Sequence, residues 1–352
     1  MLDDARYDNY LPLGGPSWFN SPSVNRIANE GASFTYMFPT TSQCAPSRVS
    51  IYTGLYAHHN GALDNQTRMY DGLPLVQQIL KDNGYYTGFI GKYGQFQGQP
   101  TGFNFWAVSD GNVYNDAVYN INGGPDTVIQ GHITDIYQDY AMQFLNSVPA
   151  GQHFALMFFT RVPHGPTIPR DQDLNLYTTE TMPFPSNFSN YTKNFPSYLY
   201  TSHNWGYTTA QTDSMRLIEF QCLAGVEENV ATMMDWLDQR GLTDSTMIIF
   251  TSDNGYLKGE HMLEAKQLAQ EESIRVPLFI RFPSWFNAGT VYNDKMAANI
   301  DIAPTMLEAA GIPDTFNMDG MSLKQLANGN MQKKYFFYQY AGEQGSPTIR
   351  AI

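Results

Sequence analysis

The chain has 352 residues, with 33 acidic and 20 basic side chains, a formal charge of −13. That balance excludes a nucleic-acid partner, because phosphate contacts need clustered Lys and Arg, and it means that an anionic substrate must be held by local positive charge. With 42% hydrophobic, 14% aromatic and only 15% charged residues, the composition is globular and the length suits one large α/β domain or two ordinary ones.

Along the chain, strand-like and helix-like segments alternate, which predicts a βα-type sheet covered by helices. A helix is expected over 23–30, after Pro22, and another over 74–81, with Leu75, Val76, Ile79 and Leu80 at helical spacing and a stop at Asn83-Gly84. Residues 85–90 read as a short strand leading into Gly91-Lys92. A helix follows over 133–145 and a buried apolar strand over 154–160. The stretch 163–207 is rich in Pro, Asn, Tyr and Thr and reads as a long irregular insertion, the kind of loop that is usually functional or mobile. A long amphipathic helix is expected over 214–237, strands over 246–251 and 276–282, and a helix over 302–310. No apolar run reaches the length of a transmembrane helix, and no signal peptide is visible. Two cysteines exclude a disulfide framework though not a single bridge. Cys222, inside the long helix, reads as a small buried hydrophobe.

Three short motifs carry chemistry. Asp3-Asp4 places two carboxylates on opposite sides of a regular strand, so both reach one cation only where the strand ends and the chain turns. Asp253-Asn254-Gly255 follows an apolar strand and puts a carboxylate and an amide oxygen at its C-terminal end, where open α/β sheets gather ligands. This all-oxygen set suits Ca²⁺, or less well Mg²⁺, rather than zinc. Cys44-Ala45-Pro46-Ser47-Arg48 is the most specific of the three. Pro46 fits a first helical turn, Gly54 caps the element, Cys44 sits at a helix N-terminus where developing negative charge is favoured, and Arg48 returns to the same face four residues on. A cysteine alone would be taken for a core residue; with Pro46 and Arg48 at this spacing it reads as a site residue.

Cys-x-Pro-Ser-Arg with its Thr53-Gly54 ending resembles the first signature of the type I sulfatases. Gly84-Tyr85-Tyr86-Thr87-Gly88-Phe89-Ile90-Gly91-Lys92 resembles their second, and Pro163-His164, Asp253-Asn254-Gly255 and Lys266 fall in the family's order. The resemblance implies an α/β fold like that of alkaline phosphatase, a mixed sheet sandwiched by helices. It implies that a separate maturation enzyme oxidises Cys44 to formylglycine, and that Asp3, Asp4, Asp253 and Asn254 hold calcium together with residue 44. Arg48, Lys92, His164 and Lys266 would line the sulfate pocket. A formylglycine hydrate would then supply two hydroxyls, one to attack sulfur and one whose deprotonation releases sulfate, while the three cations neutralise the sulfuryl oxygens and His164 serves the leaving oxygen. Outside the family, Lys266 in its polar surroundings would pass for a solvated lysine; Lys92 follows a buried strand and Gly91 and points to a site on its own. His261, Gln95 and His59 are candidate substrate contacts; His132, His153 and His203 have no case.

The chain departs from the commonest pattern after Lys92. Many relatives continue Gly-Lys-Trp-His, whereas Tyr93-Gly94-Gln95-Phe96 has no histidine. The Gly-Lys-Tyr form resembles the subgroup of N-acetylglucosamine-6-sulfatases and heparan endosulfatases, in which Gln95 takes an amide's place. Ile274-Arg275-Val276-Pro277, the 299–305 run and Met318-Asp319-Gly320 look like the same subgroup. The expected substrate is a sulfated carbohydrate such as a 6-O-sulfated glucosamine unit. The alternatives are a phosphonate or phosphodiester hydrolase of the same superfamily, or an inactive carbohydrate-binding homologue, against which the intact Cys44, Arg48, Lys92 and Asp253 argue. The domain reading is a catalytic unit over 1–330 and the truncated start of a small C-terminal subdomain over 331–352, with export to the periplasm, the cell exterior or a lysosome. Met1-Leu2 reads as the tail of an apolar strand, so the chain as it stands is expected to lack a central strand and to unfold easily; a cooperative, calcium-stabilised thermal transition at ordinary temperatures, followed by circular dichroism, contradicts that expectation.

Overall fold

The computed structural model describes residues 1–94, 99–182, 185–188, 195–343 and 345–352. In chain order the described elements are α1 (Pro22–Asn29), β1 (Ala32–Phe38), α2 (Cys44–Thr53), α3 (Ala57–Asn60), α4 (Val76–Asp82), β2 (Tyr86–Gly91), β3 (Phe105–Val108), β4 (Val118–Ile121), β5 (Thr127–Val128), α5 (Ile133–Ser147), β6 (Phe154–Phe159), α6 (Ser197–Ser202), α7 (Thr209–Gln239), β7 (Ile248–Thr251), β8 (Leu257–Lys258), β9 (Glu264–Ala265), α8 (Glu271–Ile274), β10 (Leu278–Arg281), β11 (Thr290–Ala298), α9 (Ile302–Ala309), α10 (Leu323–Ala327), β12 (Tyr338–Tyr340) and β13 (Ile349–Ala351).

The strands form two mixed sheets, ordered β11-β1-β10-β7 and β5-β4-β3-β2-β6, with two small pairs, β8-β9 and β12-β13. β2 is parallel to both β3 and β6, while β10 is antiparallel to β1 and β7. Residues 1–3 join the two sheets. The Leu2 amide donates to the Thr251 carbonyl at 2.8 Å, and the Thr160 amide donates to the Met1 carbonyl at 3.0 Å. Behind this junction, β6 and β7 line an apolar cavity of about 860 Å³.

Helices cover both faces because each strand alternates its side chains between them. Phe250 and Phe279 enter one core with residues of α1, α5 and α7, including Val24, Phe144 and Leu223. Leu278 and Ile280 enter the other with residues of α2, α4, α9 and α10, including Ile51, Ile79, Leu307 and Leu326. Tyr338 and Tyr340 of β12 form a third cluster with Phe38 and Ile274. The α7 helix starts at a capping box in which the Thr208 hydroxyl and Gln211 satisfy each other's backbone donors, a strong N-terminal stop.

The expected helices and strands are present, with ends displaced by a few residues. The long helix starts earlier than expected, at Thr209, because the capping box lies upstream of the apolar stripe. Sequence periodicity did not reveal β1, β11 or the β3–β5 group. β1 is buried at both ends but partly open at Thr35 and Tyr36, so it shows no clean alternation. Cys222 is buried and free, as is Cys44.

One glycine decides where the second sheet meets the site. Gly91 has φ of 110°, and a Cβ there would come within 2.1 Å of the Phe159 carbonyl oxygen. Only glycine allows β2 to lie this close to β6 and still turn Lys92 inward. Gly91→Ala is expected to lower stability by at least about 2 kcal/mol, read from urea unfolding, and to reduce turnover in parallel.

Candidate active site

The site lies at the C-terminal ends of β2, β6 and β7 and at the N-terminus of α2, where an α/β sheet presents its loops. Asp3 and Asp4 leave the junction between the sheets, and Asp4 takes φ of 68°. That left-handed residue is the turn through which both carboxylates face one centre. It is an uncommon conformation for a non-glycine residue, of the sort that clusters at functional sites. Asp253 and Asn254 follow β7, Lys92 follows Gly91, and His164 follows β6. Lys266 is delivered by the turn after β9, in a segment where His261, Met262, Ala265 and Gln267 all have positive φ.

These side chains pack as three carboxylates against three cations. Lys92 Nζ donates to Asp3 Oδ2 at 2.5 Å, and Lys266 Nζ donates to Asp4 Oδ1. Arg48 Nε donates to Asp253 Oδ2 at 2.9 Å, and its Nη2 lies 3.4 Å from Asp3 Oδ2. Asp3, Asp253 and Arg48 are fully buried. Burial alone would raise the Asp3 carboxyl, but Lys92, His164, Arg48 and Lys266 hold it well below the usual range. Burial and the neighbouring Asp3 push Asp253 up to about 6, against the pull of Arg48. His164 is held low by burial, opposed by Asp3 and Asp4. Its Nδ1 pairs with the Gly165 carbonyl at 2.6 Å, which leaves Nε2 to face Asp4 Oδ2 at 3.9 Å.

Cys44 is the first residue of α2. Its Sγ accepts from Lys266 Nζ at 2.8 Å and donates to Asp3 Oδ1 at 3.3 Å. Burial and Asp3 push the thiol up to about 12, despite the lysines. An unmodified thiol here stays protonated at neutral pH and is a weak nucleophile. The Ala45 amide is held by Asn65 Oδ1 at 3.1 Å. Ser47 Oγ donates to the Asp253 carbonyl at 2.5 Å and accepts from Asn299 Nδ2 at 2.9 Å, so α2 is locked directly to the β7 loop.

The donor set fits a hard divalent cation. Oxygens of Asp3, Asp4 and Asp253 all lie within 4.8 Å of one another. Asn254 Nδ2 donates to Asp4 Oδ1 at 2.6 Å, and the buried Asn254 Oδ1 has no hydrogen-bond donor. Three close carboxylates, with an orphaned amide oxygen on a side chain that touches one of them, offer a cation oxygen ligands only. The three cations already balance the three carboxylates, so a bound divalent ion would leave the cavity positive and ready for an anionic group.

The structure therefore brings together Asp3, Asp4, Cys44, Arg48, Lys92, His164, Asp253, Asn254 and Lys266. It does not bring His59 to them. His59 is on α3, beyond the Gly54 break, and its Nδ1 pairs with Asp319 at 2.8 Å at the surface. His261 contacts the insertion, with its Nε2 3.1 Å from Asn187 Nδ2 and its ring edge-on to Phe195. Its turn is tied to the N-terminal segment by the buried pair of Arg6 Nη1 and Glu260 Oε1 at 2.6 Å. Gln95 lies outside the described residues. Sequence reasoning missed Asn65 and Asn299, which position α2, Asp110, which accepts from the Tyr93 and Gly94 amides at 2.8 and 3.1 Å, and Tyr114, whose hydroxyl donates to the His164 carbonyl at 2.5 Å. Each acts across many residues of chain; Asn299 lay in the 299–305 run that resembles the family but was given no role there, and the others carry no local signal.

Residues 1–312 match the Sulfatase family model, and the chain belongs to the sulfatase family. Members of that family work through a formylglycine and a divalent metal. The chain is 26% identical over 415 residues to the N-acetylglucosamine-6-O-sulfatase of Bacteroides thetaiotaomicron, covering 97% of this chain and 74% of that protein. It is 30% identical over 351 residues to a putative extracellular sulfatase Sulf-1 homolog of Caenorhabditis elegans, covering 93% of this chain and 49% of that protein, so it spans about half of that relative's length. A solved protein in complex with its substrate D-glucosamine-2-N,6-O-disulfate superposes with a TM-score of 0.88 at 25% identity, covering 99% of this chain and 84% of that one. The fold is thus the alkaline phosphatase-like α/β fold of the sulfatases.

Removing Arg48 leaves Asp3 and Asp253 buried with too little positive charge. Arg48→Met is expected to cost about 3–5 kcal/mol in chemical denaturation with chelator present, and millimolar calcium is expected to recover part of that loss.

Proposed function

We propose that the chain hydrolyses sulfate esters of a sulfated carbohydrate, with 6-O-sulfated glucosamine units as the substrate class, through a formylglycine made from Cys44 by a maturation enzyme. The observation that carries this reading is the setting of Cys44. Its sulfur is wedged between Lys266 and Asp3 at a helix N-terminus, in an environment that keeps a free thiol protonated. That is a poor place for a cysteine nucleophile and a good one for a modified residue beside cations.

Each residue then has a task. As a hydrate, formylglycine at position 44 supplies the attacking oxygen and a second hydroxyl through which sulfate can leave. A calcium ion would be held by Asp3, Asp4, Asp253, Asn254 Oδ1 and residue 44, and would supply positive charge for the sulfuryl oxygens and for ionising the nucleophile. Arg48, Lys92 and Lys266 hold the anionic group and take up charge as it develops. Arg48 is fixed by Asp253 on one side and by the close approach of Gly94 on the other, where a Cβ would lie 2.6 Å from its Cδ. His164 serves the leaving sugar oxygen through Nε2, since the Gly165 carbonyl occupies Nδ1. The first relative's name, the solved substrate complex and the Gly91-Lys92-Tyr93 run support the glucosamine assignment. His261 and the insertion against it are proposed to bound the sugar side.

Export also belongs to this proposal, supported by the extracellular relative; among the described residues no helix is long and apolar enough to cross a membrane. So does the division into a catalytic unit over 1–330 and a C-terminal unit from 331, supported by the separate β12-β13 pair.

Matured protein is expected to release sulfate from glucosamine 6-O-sulfate and from an aryl sulfate faster than phosphate from the matching aryl phosphate; the opposite preference contradicts the proposal. Cys44→Ala is expected to reduce sulfate release to background while the circular dichroism spectrum and the calcium-dependent rise in melting temperature persist. Turnover near that of the parent would place the nucleophile elsewhere.

A further inference from the structure

Lys266 sits between two strained residues. Ala265 has φ of 79° and Gln267 φ of 77°, both in the left-handed region that residues with a Cβ rarely occupy. Such a pair persists only where the surroundings over-determine the backbone. Downstream, the Gln267 amide donates to the carbonyl of Ser42, just ahead of Cys44, at 3.2 Å. Upstream, the grip comes from His203, the residue that ends α6.

His203 holds the Glu264 peptide twice. Its carbonyl accepts from the Glu264 amide at 2.8 Å, and its Nδ1 lies 3.1 Å from the Glu264 carbonyl. A carbonyl only accepts, so the hydrogen is on Nδ1 and Nε2 is the acceptor. The Ser346 hydroxyl donates to that Nε2. The ring is 1% exposed, and burial lowers its pKa from the usual histidine value, which favours this neutral form. Asn204 opposite Leu263, and the Trp205 amide on the Met262 carbonyl at 2.8 Å, extend the contact along the turn. A left-handed turn at Gly345, φ 82°, delivers Ser346 to the ring. The same C-terminal segment also holds the approach to α2: the Gln339 amide donates to the Thr40 carbonyl at 2.9 Å, and Gln43 donates to Glu343.

We propose that His203 is a positioning residue for Lys266: with its ring locked by Ser346, it sets the turn that delivers the ammonium to residue 44 and Asp4. The inference rests on the proposed function only for what that ammonium does to a sulfate ester. Lys266 Nζ lies 2.8 Å from Cys44 Sγ and donates to Asp4 Oδ1. A displacement at Glu264 is carried through two residues of backbone to the point where this charge meets the sulfuryl oxygens. His203 meets no substrate, since it is buried and both ring nitrogens are engaged.

The test uses the matured, calcium-loaded chain on a sulfate ester, with inorganic sulfate as competing inhibitor and circular dichroism to follow folding. His203→Leu is expected to lower kcat/KM by about 10²-fold, with KM and the inhibition constant of sulfate both raised. His203→Asn keeps a donor at the Nδ1 position and is expected to recover most of that loss. Crystals of unmatured His203→Leu are expected to show Lys266 Nζ withdrawn from Cys44 Sγ. A lower kcat at unchanged KM and unchanged sulfate inhibition, as loss of folded protein alone would give, overturns the proposal. Equal losses in the Leu and Asn variants, or Lys266 unmoved in the crystal, overturn it too. An inactive matured parent counts against the proposed function instead, and the crystal comparison then decides alone. If His203→Leu does not fold, His203→Gln takes its place, because its amide replaces Nε2 and not Nδ1.

Discussion

Buried charge balance is the constraint on which the rest of this structure depends. Three carboxylates from chain positions 250 residues apart meet three cations from three other segments, in buried surroundings where each of these charges would be costly without its partners. Remove a cation and a carboxylate must take up a proton or the loops must open. Add a divalent ion and the cavity becomes an anion receptor. The same pairing therefore keeps the site folded without substrate and makes it attractive to a sulfate ester. Stability and function are set by one group of contacts.

The fold exists to bring those charges to one place. β2, β6 and β7 all end at the site, and residues 1–3 stitch β6 to β7 so that Asp3 and Asp4 emerge between them. The α2 helix then brings Cys44 and Arg48 in from the other core, with one turn between them. Close backbone approaches at Gly91 and Gly94 set the depth of Lys92 and Arg48. Side chains that never meet a substrate, such as Asn299, Asn65 and Tyr114, fix the backbone that does.

Much of this was legible in the sequence, for reasons particular to each element. The α2 motif is local: its cysteine, proline, arginine and terminal glycine lie within 11 residues of chain, and the helix they predict is the one present. Apolar residues at helical spacing announced α4, an amphipathic stretch announced α7, and Pro22 marked the start of α1. The metal-type carboxylates were visible as pairs at strand ends, but their convergence depends on the left-handed turn at Asp4, which no spacing rule reveals. β1 and β11 escaped because their side chains are neither cleanly alternating nor continuously apolar. His59 was a reasonable candidate on sequence proximity to α2. The break at Gly54 turns it toward Asp319 instead, so proximity in sequence did not become proximity in space. Lys266 sat in polar sequence and was legible only through the family's motif order.

The central claim is that residue 44 acts as a formylglycine. Peptide mass spectrometry of residue 44, made alongside sulfate release on samples matured to different extents, tests it most directly. The account predicts an aldehyde in place of the thiol and a sulfate-release rate proportional to the aldehyde fraction. Full sulfate release from protein in which Cys44 is an unmodified cysteine would contradict it.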